Sequence, residues 1–316
     1  MPTLNERAWA LCDAMVADAE QLGIVVSTLR CGTRLIDCGV KAPGSVETGL
    51  RLAEICVSGM ASVHFVPADT AVWSGQRVGI GTQQPVAACM ASQYAGWEIK
   101  GDDFFAMGSG PMRAAAGREP IFGAINYREQ PDSCVGVLET GKLPPDSVCV
   151  ELAQKCGIST HWLTLLVART ASPAGTVQIV ARSLETALHK LHELGFDLSC
   201  VDRGWGTAPL PPIADNDLAA IGWTNDAILY GGYVELVVNC DDATLVEMGP
   251  RVPSSASPDF GRPFAEIFRR YDQDFYRIDP MLFSPAVVVF VNRQTGSRHE
   301  FGRYAPRVLN ESFVNT

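Results

Sequence analysis

Four polar side chains set the first question. Gln178, Arg182, Glu185 and His189 recur at four-, three- and four-residue steps within the segment TVQIVARSLETALHKLHELGFD, residues 176–197. On a helix that spacing stacks an amide, a fixed cation, a carboxylate and an imidazole in one row. Those residue types suit proton transfer and polar contacts to a ligand. Val177, Val180, Leu184, Leu188, Leu191 and Leu194 form an apolar stripe on the other side, so the segment reads as one amphipathic helix over 176–194. The polar row is then either a solvated surface or the wall of an active site. An Arg–Glu pair at i,i+3 is most often a surface salt bridge worth about 0.3–0.5 kcal/mol. Two features weigh against that reading. The row lacks the Lys/Glu richness of a solvated face, and the helix follows a small-residue loop, Ala171–Thr176 (ASPAGT), that would let a ligand approach closely.

Other chemistries fail on their spacing. Gly79-Ile80-Gly81, Gly108-Ser109-Gly110 and Gly204-Trp205-Gly206 each lack the third small residue of the dinucleotide fingerprint, which disfavours a Rossmann enzyme. There is no Walker A sequence and no G-x-S-x-G elbow. His189 and His192 are three apart with Glu193 outside the pair, so H-E-x-x-H is absent, and His64, His161 and His299 have no ligand-like neighbours. No metal site is expected.

The elements that must carry these residues mix helix and strand. Besides 176–194, the pattern predicts helices over 4–22, 45–60, 145–156 and 263–271. It predicts strands over Ser62–Pro67, Cys134–Glu139, Trp162–Val167, Ala227–Val238 (with a break at Gly231-Gly232) and Val287–Asn292. Gly23, Gly157 and Gly195 stand where a left-handed residue ends a helix. Three Gly/Pro-rich stretches, Ala106–Pro111, Gly204–Pro212 and Gly249–Pro258, mark loops of special geometry.

Composition sets the outer bounds. The 316 residues are 47% hydrophobic and 19% charged, with ample material for one large or two ordinary domains. A net charge of −10 without a Lys/Arg run argues against nucleic acid as a partner. The N-terminus reads as an amphipathic helix rather than a signal peptide, and the longest apolar run, Ala286–Val291, is strand-sized. The 10 cysteines are scattered without a C-x-x-C pair, which predicts reduced, mostly buried thiols in a cytoplasm.

Several blocks together resemble the methenyltetrahydromethanopterin cyclohydrolases. They are Ser92–Trp97 (SQYAGW), Ala106–Pro111, Ala171–Gly195, Gly204–Pro212, Ile221–Gly232 (IGWTNDAILYGG), Pro253–Pro263 (PSSASPDFGRP) and Ile278–Ala286 (IDPMLFSPA). They run in family order from about residue 85 onward. The resemblance implies an α/β (α+β) fold of two mixed α/β domains with the active-site pocket between them, not a Rossmann fold. On that reading residues 1–105 and 206–316 form a larger, discontinuous domain, and 106–205 a second domain carrying the catalytic helix.

The resemblance also implies a cytoplasmic enzyme of one-carbon metabolism. It would add water to the methenyl bridge of 5,10-methenyltetrahydromethanopterin, or its dephosphorylated relative, to give the N5-formyl form. It implies no metal or prosthetic group, a small-molecule pterin substrate, no membrane partner and a homo-oligomer, a trimer in archaeal members. Arg182 and Glu185 match the family's catalytic pair. Gln178 is a candidate for contact with the pterin or the water, although a satisfied amide at the helix start is an equal reading. Ser92, Gln93 and Tyr94 fall in the pocket-facing block, and Tyr94 departs from the lysine of many archaeal members. Asn225 and Asp226 are substrate contacts or turn and capping residues. Trp223 stands where a basic residue is common. His189 reads as a supporting residue. The competing functions are a cyclohydrolase for the folate analogue, against which the missing fingerprint argues, and a non-catalytic pterin-binding protein.

Overall fold

The computed structural model describes residues 2–272, 274 and 277–314. The chain forms two compact units, Met1–Ala61 with Ala87–Gln178, and Ser62–Val86 with Ile179–Thr316. Each is a mixed α/β body around one six-stranded sheet, as expected for the fold class.

The first unit holds strands β1 (Val25–Thr28), β2 (Arg34–Gly39), β5 (Trp97–Gly101), β6 (Phe104–Ser109), β7 (Cys134–Glu139) and β8 (Leu163–Ala168), in the order β1-β2-β8-β7-β6-β5. Strands β2, β8 and β7 run parallel; the outer pairings are antiparallel. Every residue of β8 is buried, the signature of a central strand covered on both faces. Its helices are α1 (Leu4–Ala17), α2 (Ala19–Leu22), α3 (Val46–Cys56), α4 (Met112–Ala116), α5 (Ile121–Ala124), α6 (Asp146–Cys156) and most of α7 (Pro173–Val180). Alternate β8 residues feed two cores. Leu166 and Ala168 pack with Ala8, Cys12, Leu52 and Ile55 from α1 and α3. Leu163, Leu165 and Val167 pack with Val148, Cys149 and Leu152 from α6. Helix α1 begins with a capping box, Thr3 accepting from the Glu6 amide while the Glu6 carboxylate accepts from the Thr3 amide.

The second unit holds β3 (Ser62–Val66), β4 (Arg77–Thr82), β9 (Val201–Pro209), β10 (Tyr233–Val238), β11 (Val287–Asn292) and β12 (Arg298–Gly302), ordered β12-β11-β10-β9-β4-β3. Among the described residues only β10 and β11 pair in parallel. Helices α8 (Ser183–Glu193), α9 (Asp217–Gly231), α10 (Asp242–Met248), α11 (Phe264–Arg270) and α12 (Pro306–Val314) complete it. Burial alternates along β10, with Val234, Leu236 and Val238 buried and their neighbours half-buried, so one face of this sheet is the better covered.

Several expectations change. The stretches Ala106–Pro111 and Gly204–Pro212, expected as loops, are largely strand, in β6 and β9. The helix expected over 176–194 is two helices, α7 and α8, separated at Ala181-Arg182. Helix α7 starts earlier than expected because Ser172 caps it, accepting from the Gly175 amide, and Pro173 fits its first position. The Ala171–Thr176 loop is therefore largely the first turn of a helix. The strand expected over 227–238 is helix up to Gly231 and strand only from Tyr233. An apolar run of that length suits either state, and the Asn216 side chain, accepting from the Ala219 amide, starts a helix there. The compact units change over at 61/62, 86/87 and 178/179. The first hairpin explains part of this, since β2 hydrogen-bonds to β8 and draws the N-terminal segment into the same sheet.

Candidate active site

The polar row that opened the sequence reading is buried. Gln178 is 2%, Arg182 7% and Glu185 6% exposed, and only His189 is half-buried. A solvated salt-bridge face would leave these side chains in water, so that bland reading is excluded for the first three. His189 faces Glu193 at 3.6 Å, a partly exposed pair one helical turn apart.

The backbone turns at Arg182 with φ −88° and ψ 7°, and Arg182 occupies the cap position of α8. Its carbonyl accepts from the Thr186 amide at 2.9 Å and from the Thr186 hydroxyl at 2.8 Å, which fixes the first turn. Glu185 lies in that first turn. The first amides of a helix have no intrahelical acceptor and the helix dipole is positive there, so a buried carboxylate is favoured at this end. Neither Gly nor Pro stands between Val180 and Ser183, so the turn has no local breaker.

Two glycines let α8 sit close on its sheet. A Cβ on Gly206 would meet Ser183 Oγ at 2.8 Å and the Leu184 amide nitrogen at 3.3 Å, and one on Gly204 would meet Leu184 at 2.8 Å. The G-W-G of β9, which fails as a nucleotide loop, thus serves as the bed for the first turn of α8. Gln178 is placed by a similar close approach in the first unit: a Cβ on Gly49 of α3 would overlap Val177 of α7 at 2.5 Å.

Ser92, Gln93 and Tyr94 lie at the end of a π-helix, Val86–Gln93, an uncommon backbone form often found at functional sites. Ser92 and Gln93 are fully buried. The Ser92 hydroxyl donates to the Cys56 carbonyl at 2.6 Å and lies 2.8 Å from Ser58 Oγ, so it ties the π-helix to the end of α3. Ser58 itself sits at φ 57°, a left-handed position that glycine usually fills. Half-buried Tyr94 lies over Arg113, whose guanidinium carbon is 4.9 Å from the ring centroid. Sequence reasoning missed Arg113. Its signal was a single charge among small apolar residues, Met112–Ala116 (MRAAA), next to the Ala106–Pro111 block.

Asn225 and Asp226 lie on α9. The Asn225 amide donates back to the Ile221 carbonyl at 2.8 Å. Asp226 is fully buried; one oxygen accepts from the Phe264 amide at 2.8 Å and the other from the Ser312 hydroxyl at 2.6 Å. It caps α11 from a distance and holds α12, the capping alternative of the two open in the sequence. Burial pushes its carboxyl up to about 8, against the two hydrogen bonds, which lower it. Trp223, one turn away and half-buried, lies 6.4 Å from Phe313 of α12 between ring centroids.

Among the described residues no three His, Cys, Asp or Glu side chains gather in a way that would hold a metal ion. All 10 cysteines are free thiols, most of them buried. Among the described residues no helix is long and apolar enough to cross a membrane.

Comparison with known proteins bears on the whole chain. The family model described as Cyclohydrolase (MCH) matches residues 3–313. The chain is 44% identical over 317 residues to the methenyltetrahydromethanopterin cyclohydrolase of Methylobacterium sp. (strain 4-46), spanning 99% of this chain and 98% of that one. A protein of the same name from Rhodopirellula baltica is 45% identical over 287 residues, 89% of this chain and 86% of that one. One from Methanosarcina mazei is 37% identical over 317 residues, 99% of this chain and 98% of that one. The match reaches back over residues 3–84, where the sequence blocks were least distinctive.

Proposed function

The chain belongs to the methenyltetrahydromethanopterin cyclohydrolase family, and from that premise we propose how its own residues carry the reaction. The enzyme is a hydrolase that adds water to the methenyl bridge of 5,10-methenyltetrahydromethanopterin in one-carbon metabolism. The bridging carbon lies between two nitrogens of a cationic amidinium and is already electrophilic. It calls for a held water and a base rather than a covalent nucleophile.

Glu185 is the proposed base. It takes a proton from water as the C–O bond forms, leaving a neutral carbinolamine. Protonated Glu185 then delivers that proton to N10 as the C–N10 bond breaks. The carbinol O–H proton leaves as the carbonyl forms, so N5-formyl product and one proton are released per turnover. Arg182 is proposed to orient Glu185 and hold its charge. One observation carries this reading: the cation and the carboxylate are both under a tenth exposed at the start of one helix. Gln178, Gln93 and Tyr94 are proposed substrate contacts. Ser92, Asn225 and Asp226 are proposed to serve the substrate through the framework they hold, since their polar atoms bond within their own units.

No metal or prosthetic group is assigned to the reaction, because the substrate brings its own electrophile. The 10 free thiols support a cytoplasmic location, and the family resemblance supports a homotrimer, which sedimentation would test. The activity itself is tested by following decay of the methenyl chromophore with purified protein. A rate no faster than spontaneous hydrolysis would leave the chain a pterin-binding protein.

A further inference from the structure

Arg113 is the largest fully buried side chain in the first unit and has no part in the chemistry above. Its Nε lies 3.0 Å from Glu119, and its Nη1 donates to the carbonyls of Met90 at 3.2 Å and Ser92 at 3.3 Å. Nη2 makes no hydrogen bond. The guanidinium carbon lies 4.9 Å from the Tyr94 ring centroid and 5.3 Å from that of Phe122. A cation removed from water needs compensation, here one carboxylate, two carbonyls and two ring faces.

The two carbonyls belong to the last turn of the π-helix, which closes with the Tyr94 amide on the Cys89 carbonyl. Carbonyls in the last turn of a helix lack intrahelical donors, and a cation there is favoured by the helix dipole. Arg113 supplies both donor and charge. The same turn is also held by the Ser92 hydroxyl, which donates to the Cys56 carbonyl at the end of α3. Gln93 ends that helix and Tyr94 follows it, so their placement is set by a turn held by both Arg113 and Ser92.

We propose that Arg113 is the positioning residue for Gln93 and Tyr94, clamping the end of the π-helix and backing the Tyr94 ring so that both side chains are set before substrate binds. This rests on the proposed substrate contacts of Gln93 and Tyr94. Lysine can carry the charge but cannot fork between two carbonyls and a carboxylate or lie flat against a ring.

The test is Arg113→Lys in the full-length protein, read by steady-state kinetics and by amide hydrogen exchange. We expect KM to rise about tenfold with kcat within about threefold of the parent, the pattern of lost ground-state binding. Amides of residues 87–94 should exchange faster while those of α6 keep their protection. A lowered melting temperature with KM and local exchange unchanged would mark a purely structural residue and overturn the proposal. Should that variant fail to fold, Glu119→Gln removes the carboxylate partner and is read the same way. If the parent enzyme shows no hydrolysis, the functional reading fails, while exchange at 87–94 still decides whether Arg113 clamps the turn.

Discussion

Glu185 stands one helical turn into α8 from Arg182, which caps that helix in a non-helical conformation (φ −88°, ψ 7°), so the two do not share the face of a continuous helix. The break changes what holds each group. The carboxylate lies at the positive end of a helix dipole. The cation lies in the turn where the chain, having left the first compact unit at Gln178, begins the helix of the second.

Glu185→Gln keeps the volume and removes the base. General acid–base groups contribute about 10²- to 10⁴-fold, so kcat should fall by at least about a hundredfold with the melting temperature little changed. The methenyl chromophore gives the rate directly. A glutamine variant with a near-parental rate would remove Glu185 from the chemistry.

Gly206→Ala tests the seating of α8. The new methyl would stand 2.8 Å from Ser183 Oγ and 3.3 Å from the Leu184 amide nitrogen. Overpacking of that kind costs about 1–3 kcal/mol, and a shifted α8 should lower kcat as well as stability. Thermal unfolding and kinetics together check it; a variant as stable and active as the parent would mean the helix is not closely seated.

Ser183→Ala should act in the opposite direction. Ser183 Oγ is buried and makes no hydrogen bond. Removing an unsatisfied hydroxyl should be neutral or stabilising, by up to about 1 kcal/mol. Combined with Gly206→Ala it should recover part of the lost stability, since the closest clash is with that oxygen. Denaturant unfolding of the two single variants and the double variant measures the recovery.

Asp226→Asn should flatten a pH dependence. The Asp226 carboxyl is raised from 3.8 to about 8 in the folded protein. Between those values the unfolded chain releases this proton while the folded protein keeps it, so the contribution is fully present below about 4 and is lost as pH rises to about 8. The melting temperature of the parent should therefore fall across that window more than that of the variant. Equal slopes would show that Asp226 does not titrate as its burial implies.

The reaction itself carries a pH signature. One proton is released per substrate hydrolysed, so the apparent equilibrium should move about tenfold toward formyl product for each pH unit. Endpoint absorbance at several pH values, approached from either side, would show it. A pH-independent endpoint would contradict the proposed stoichiometry.

Much of this protein was written locally. Strands Cys134–Glu139 and Val287–Asn292 fall where the apolar runs predict them, and α6 starts within one residue of its predicted start and ends just before Gly157 at φ 72°. These elements depend on near neighbours: alternation, caps and a residue able to turn left-handed. The blocks from Ser92 to Ala286 likewise fixed the family, and with it which carboxylate and which cation to examine. Tertiary structure decided the rest. Nothing between Val180 and Ser183 encodes a break in the helix, and the role of Gly204 and Gly206 is visible only once α8 lies on β9. Arg113 reads in sequence as one stray charge, and its meaning comes from carbonyls more than twenty residues away. Sequence spacing could put Gln178, Arg182 and Glu185 in a row but not say whether water covers it. Burial is set by residues distant in the chain that pack over a segment, and local periodicity carries no record of them.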